Sequence, residues 1–356
     1  MKHTIIYLPL LIVFAFASCT DDDDKVAAPV SRGTVTLLCA VSGLGDNGYN
    51  DDAAAGVFAF TEESGTTLRL LSPEDSLEAR TMYRKWLSEN AEKDSAVLIV
   101  GSSAYQQMLA DTPPVLKGNG SRVLLFESRA ELSGVSSIAV SRYGGAWLAG
   151  AMSRDADVFL LAAAPGFFHV EEAIKGFCDG HEAAGDGTHT VELQYLAQGE
   201  EGFAMPDSAY RVMESRAKDD MDYSEFIFPL IGGSVAGVVS YMNRNALSSA
   251  MLVGMDVDQQ LQSYYIPFSM VVGIGNAVKQ CLQEWKSGVA WPATRKFTLA
   301  DGMADIVIRN EEVVPHWLMI KYLNEWLNDS DYKFFQTLYD TYRDEALRKE
   351  AEYEKL

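Results

Sequence analysis

Carboxylates gather at two places where they could do chemistry. Asp46, Asp51 and Asp52 crowd the run Ser42-Gly43-Leu44-Gly45-Asp46-Asn47-Gly48-Tyr49-Asn50-Asp51-Asp52, and Asp256 and Asp258 follow Val253-Gly254-Met255. Paired carboxylates can act as general acid and base when burial or a neighbouring charge raises one pKa. At the ends of strands they more often cap helices or accept hydrogen bonds from a ligand. No nucleophile accompanies them: there is no GxSxG elbow, and His3, His169, His181, His189 and His316 show neither a triad nor zinc-ligand spacing. The acids therefore point to binding rather than to an enzyme, and no metal or cofactor is implied. The first cluster is not read as a phosphate loop: it is taken to lack the GxGxxG spacing, and no Lys-Ser/Thr pair follows it.

Such loops need strands to hold them. Short β-branched and apolar runs alternate with segments of helical period, which predicts strands over 34–41, 68–71, 96–100, 122–126, 137–140, 157–162, 190–196, 226–230 and 251–255. Helices are predicted over 76–93, over 143–152 and from Ala53 onward. This alternation builds a doubly wound α/β protein with parallel sheets. Nine strands exceed what one such sheet usually holds, so two lobes around a cleft are the economical arrangement. Ligands bind outside the carboxyl ends of strands in such sheets. Glycines let the loop after the first strand turn close to a ligand, and Asn50 or Asp51 can cap the following helix. A plain strand-to-helix turn with a good cap would read the same way.

Lys2 and His3 precede an apolar run, 5–16, too short and too early to be a spanning helix, which reads as a secretory signal. It ends in Phe16-Ala17-Ser18-Cys19, similar to the lipobox of bacterial lipoproteins, so residues 1–18 are expected to be removed and Cys19 acylated. Asp21-Asp22-Asp23-Asp24-Lys25 then repels itself, and 19–33 is read as a solvated tether. Its position resembles the acidic export tag of surface lipoproteins, and the string itself an enterokinase site. Lipid anchoring outside the cytoplasm, at the outer membrane and the cell surface, is the expectation.

The body is 48% apolar and 22% charged over the 356-residue chain, a globular composition, and its net charge of −21 argues against a nucleic-acid polymer as partner. Pro229, Gly232, Gly233 and Gly237 interrupt the apolar stretch 226–239, and Gly273, Gly275 and Asn276 that of 266–278, so neither spans a membrane. Cys39, Cys178 and Cys281 are odd in number and far apart. They read as three buried thiols or as one disulfide with a spare, and spacing cannot choose the pair.

Gly45-Asp46-Asn47-Gly48-Tyr49-Asn50 resembles the Asp-Asp-Lys-Ser-Phe-Asn loop of the basic membrane protein (BMP) family of ABC-transporter substrate-binding lipoproteins, which includes purine nucleoside receptors. Tyr143-Gly144-Gly145-Ala146-Trp147-Leu148-Ala149-Gly150 is similar to its Glu-Gly-Gly-Tyr-Leu-Ala-Gly helix, and Lys175-Gly176-Phe177 with Gly180 to its Phe-xx-Gly-Phe/Tyr-xx-Gly segment. Phe228-Pro229-Leu230-Ile231-Gly232-Gly233, Val253-Gly254-Met255-Asp256-Val257-Asp258-Gln259 and the stretch 297–302 follow in the family's order. The resemblance covers roughly 34–310.

It implies a two-lobed type I periplasmic-binding fold with a first lobe of 34–140 plus 270–293, a second of 141–269 plus 294–310, and a helical extension, 311–356, outside the family pattern. A small polar ligand, nucleoside-like or related, would be clamped between the lobes for delivery to an ABC permease. By this carry-over Asp46, Tyr49, Asn50, Glu127, Gly232 and Asp256 face the cleft, with Tyr49 or Tyr105 able to stack on a flat ring. The chain departs from the family at Cys39-Ala40, Gly45 and Glu127, and a basic residue expected after Ser269-Met270 is replaced by Val271-Val272-Gly273. A surface interaction or sensory protein that keeps the fold with an altered ligand is therefore the alternative. In the extension, Val314, Trp317, Leu318, Ile320, Leu323, Trp326 and Leu327 predict one helix, and Phe334, Phe335, Leu338, Tyr339 and Tyr342 give a second an aromatic stripe. That stripe either packs on the body or docks another protein.

Overall fold

The computed structural model describes residues 33–41, 43–118, 120–216, 225–245, 250–309 and 329–355. The signal, Cys19, the acidic tether and the helix expected around Trp317 lie outside them.

Three sheets organise these residues. The first has six parallel strands in the order β12-β5-β4-β3-β1-β2: β1 Thr34–Leu38, β2 Thr67–Leu71, β3 Ala96–Val100, β4 Val123–Phe126, β5 Val135–Val140 and β12 Thr294–Phe297. The second has four, in the order β7-β6-β8-β9: β6 Asp157–Ala162, β7 Val191–Tyr195, β8 Glu225–Leu230 and β9 Ala250–Leu252. The third joins β10 Gly254–Asp256 in parallel to β11 Phe268–Val271, which pairs antiparallel with β13 Asp305–Ile308. The central strands β3, β4 and β5 are buried along their whole length, as the near-continuous apolar runs of covered parallel strands require.

Two expectations are corrected. The strand expected over 251–255 is two strands in different sheets. The chain steps across at Val253, whose amide bonds to Ile227 O, and Gly254 then lies so close to β11 that a Cβ there would come within 2.1 Å of Ser269 Oγ. Residues 294–297, assigned from sequence to the second lobe, pair instead with β5 in the first sheet, in the register Thr294 to Ser137 through Phe297 to Val140. An isolated four-residue strand carries no sign of its partner.

Helices cover the sheets. Among them α1 (Tyr49–Ser64) begins four residues before the expected Ala53 and packs on α8 (Ile274–Lys286). Asp52 ties the two together by accepting the Gly275 amide at 2.8 Å. On the other side α4 (Tyr143–Met152) and α5 (Phe168–Ala184) cross on glycines: a Cβ at Gly180 would stand 1.9 Å from Trp147 O, and one at Gly150 2.1 Å from Phe177 O. The C-terminal helix α9 (Asp329–Tyr353) lays its aromatic stripe on the body, with Phe335 against Phe226 and Phe268. Phe334 is half exposed.

Candidate functional site

The loop after β1 turns into α1 around one carboxylate. Asp46 accepts from the amides of Gly48 and Asn50 and from Asn50 Nδ2, each at 3.0 Å, and from the Asp51 amide at 3.3 Å. Gly43-Leu44-Gly45-Asp46-Asn47-Gly48 does have the glycine spacing of a dinucleotide-binding turn, which corrects the reading from sequence that this spacing is lacking. Here the helix-terminal amides that would cradle a phosphate are filled by the protein's own carboxylate. Asp46 thus performs the capping expected of Asn50 or Asp51. Asp51 closes the turn by accepting from Gly45 and Asn47 amides at 2.7 and 2.8 Å, and Asn50 Oδ1 holds the Ala40 amide at 2.9 Å. Asp258 accepts from the Gln260 amide at 3.1 Å. The acidic cluster of the sequence is largely consumed in building loops.

A cavity of about 90 Å³ opens between the strand ends of the two lobes. Asp46, Tyr49 and Glu127 line it from the first lobe, and Gly232 and Asp256 from the second. Asn50 and Tyr105 do not line it: Asn50 is buried under Asp46, and Tyr105 is a core residue whose hydroxyl donates to Cys39 O at 3.0 Å. Aromatic surface comes instead from Phe167 and Phe203, edge to face at 5.2 Å, with His169 beside them.

At the centre is a residue that the reading from sequence missed. Arg142, 4% exposed, follows β5 at the first chain crossing, pairs with Glu127 Oε2 through Nη1, and lies 3.8 Å from Asp256 Oδ1 through Nη2. It is the cation among the residues that line the cavity, where the reading from sequence placed none. Its signal was available: an arginine between an apolar strand and the uncharged helix Tyr143-Gly144-Gly145-Ala146-Trp147 is bound to be buried, and a buried guanidinium needs carboxylates. Both of its acids sit on left-handed backbone, Glu127 at φ 56° and Asp256 at φ 67°. That costs on the order of 1–3 kcal/mol each, the strain expected of binding sites.

Burial opposes the charge of all three groups. It raises the Glu127 carboxyl despite Arg142, and lifts Asp256 to about 6, again against Arg142 and with help from Asp46. Arg142 also suffers from burial, but Glu127 and Asp256 outweigh it and hold the guanidinium above its ordinary range. Burial, and then Arg142, push His169 well below the usual imidazole range, so it stays neutral, with Nδ1 3.6 Å from Glu127 Oε2. Cys39, Cys178 and Cys281 are free thiols, so no disulfide forms among them. No group of described residues could hold a metal ion.

The Asp256 shift has a measurable consequence. Between about pH 4 and 6 the folded protein holds a proton there that the unfolded chain has released, so this group makes stability fall as pH rises through that window. Asp256→Asn should flatten the slope and leave the protein more stable than wild type at pH 7, by on the order of 1–3 kcal/mol. Urea midpoints from pH 4 to 7 read this directly. An unchanged slope would mean that Asp256 is solvated.

Across the mouth Ser76 Oγ donates to Glu200 Oε1 at 2.8 Å, and Gln259 Nε2 to Asn47 O at 3.2 Å, so the lobes touch on both sides of the cavity.

No family model matches the chain, and no curated protein matches it. Solved structures do. A solute-binding protein of an ABC transporter system from Aeropyrum pernix K1 is 16% identical with a TM-score of 0.67, over 90% of each chain. A transcriptional activator of the comK gene from Bacillus halodurans is 15% identical with a TM-score of 0.60, over 87% of this chain and 97% of its own. A carbohydrate transporter solute-binding protein from Agrobacterium radiobacter, solved with D-arabinose, is 14% identical with a TM-score of 0.57, over 78% of this chain and 95% of its own. Likeness at these identities is likeness of fold: the chain has the α/β architecture of the type I periplasmic-binding fold, with parallel sheets forming two lobes and a C-terminal helix added.

Proposed function

We propose that this protein is a lipid-anchored extracytoplasmic receptor that closes on a small uncharged polar solute rich in hydrogen-bond donors, nucleoside-like or sugar-like, and passes it to an ABC permease. The observation that carries the reading is a set of unpaired buried atoms. Tyr49 Oη and Glu127 Oε1 from one lobe and His169 Nδ1 from the other lack hydrogen-bond partners, and all three residues line the cavity. Buried polar atoms without partners cost about 1–3 kcal/mol each, so a ligand that pairs them offsets that cost.

The lining also defines what is rejected. Asp46, Glu127, Glu200 and Asp256 face one cation, Arg142, already engaged by Glu127, and the helix terminus is capped by Asp46. A phosphate or carboxylate on the solute would meet carboxylates in a site of low dielectric. Hydroxyl and amino donors suit these acceptors, and Phe167 and Phe203 offer an apolar wall for the face of a ring. The D-arabinose in one similar structure and the D-allose in another fit this chemistry. Cys19 and the acidic run after it support anchoring outside the cytoplasm, at the outer membrane and the cell surface. A sensory role is the second reading, favoured by the occurrence of the fold in a transcriptional activator and by the departures at Ala40, Gly45 and Val272.

A thermal-shift series decides the ligand class. Uncharged nucleosides and monosaccharides should raise the melting temperature, their phosphorylated counterparts should not, and Asp256→Ala should abolish the shift. Stabilisation by the phosphorylated compounds alone would overturn the reading.

A further inference from the structure

Three stretches of chain connect the six-stranded sheet and α8 to the other two sheets: 141–142, 272–273 and 298–304. They lie side by side, since a Cβ at Gly273 would stand 2.7 Å from Met303 O and one at Gly145 3.2 Å from Ala304 O. Opening and closing of the cleft must turn about these crossings.

The C-terminal helix reaches them. Its first turns are fixed to the second lobe by Phe335, by the Arg343–Asp305 ion pair at 3.1 Å, and by Tyr339 Oη on Asp305 at 3.0 Å. Its last two turns then cover the crossings themselves. Glu350, 2% exposed, accepts from the Leu299 amide at 2.8 Å through Oε2 and from the Gly144 amide at 3.3 Å through Oε1, so one carboxylate ties the third crossing to the first turn of α4, just past the first crossing. Tyr353 stacks on Tyr143 at 4.2 Å with 5° between the rings. Glu354 accepts from Ser141 Oγ at 3.2 Å and pairs with Lys296 of β12, a strand of the opposite lobe. Arg142, the cation of the cavity, sits between Ser141 and Tyr143, both of which the helix holds.

We propose that the end of α9 and the residue after it are a brace on the hinge: Glu350, Tyr353 and Glu354 bias the lobes toward closure and hold Arg142 in place without touching the cavity. A helix that merely covered apolar surface would not need a buried carboxylate on two backbone amides, one in the third crossing and one at the start of α4. Turning Lys296 and Leu299 away from Ser141 and Gly144 would break these contacts together, so opening works against them. The inference needs only the two-lobed fold and holds whichever solute binds.

Hydrogen–deuterium exchange of the full-length chain tests it without a ligand. In Glu350→Ala, amides at the mouth, 45–51 and 199–203, should exchange about tenfold faster, while β3 and β6 keep wild-type rates. Unchanged rates at the mouth would overturn the brace, and so would a uniform rise that includes β3 and β6, because that is simple loss of stability. Should Glu350→Ala fail to fold, Tyr353→Leu with Glu354→Gln, both nearer the surface, gives the same readout: faster exchange confined to the mouth supports the brace, and unchanged or uniformly faster exchange overturns it.

Discussion

Replacing Arg142 with methionine should cost about 3–5 kcal/mol of stability at neutral pH, the penalty for leaving buried carboxylates without their cation, and should abolish solute binding. Glu127 and Arg142 are each less than a twentieth exposed, and Asp256 lies beside them. Methionine keeps most of the volume, so lost packing contributes little. The sign with pH separates this from a packing defect. Both carboxyls already have raised pKa values, and removing the cation raises them further, so on acidification both take up protons in the folded variant at a higher pH than they do in the wild type. Below the unfolded-state pKa near 4 the penalty vanishes, so the gap between variant and wild type should be widest at pH 7 and nearly closed at pH 4. Urea titrations at those two values are sufficient. Equal gaps would mean that Arg142 acts through its aliphatic stem and not its charge.

Gly180→Ala should also act strongly, and far from the cavity. The crossing of α4 on α5 brings Trp147 O to 1.9 Å from where the new methyl would stand, so the helices must separate. Neither neighbour is the free end of a flexible side chain: the other close atoms are Trp147 C and Cα. A loss of about 3 kcal/mol is expected from overpacking of this kind, with a fall in melting temperature of roughly 6–12 °C. Differential scanning calorimetry measures it. The shift should be similar in wild-type and Asp256→Asn backgrounds, because the sites share no partners.

Much of the architecture was legible in the sequence because parallel α/β folds write themselves in local periodicity. β3 at 96–100, β6 at 157–162 and α4 at 143–152 fall where the alternation of apolar residues places them. Errors fell where partners are distant. β12 looks the same whichever sheet takes it, and Val253 gives no notice that the chain changes sheets there. Tyr143 through Gly150 and Gly176 through Gly180 stood out as recurring motifs, but that their glycines exist to let two helices cross at backbone contact appears only once the helices are packed.

The candidate site divides in the same way. By its own residue types the sequence determined that acids and an aromatic would stand at strand ends, since Asp46, Tyr49 and Asp256 follow apolar runs that can only be strands. The tertiary structure decided what those acids do. It spends Asp46, Asp51 and Asp52 on caps and helix contacts, seats Tyr105 in the core, and brings Arg142 between Glu127 and Asp256. The physical reason is one of range. Capping and periodicity act over a few residues and are recorded in spacing, whereas a buried ion pair is set by which chain crossings meet, and nothing local to residues 127, 142 or 256 encodes that meeting.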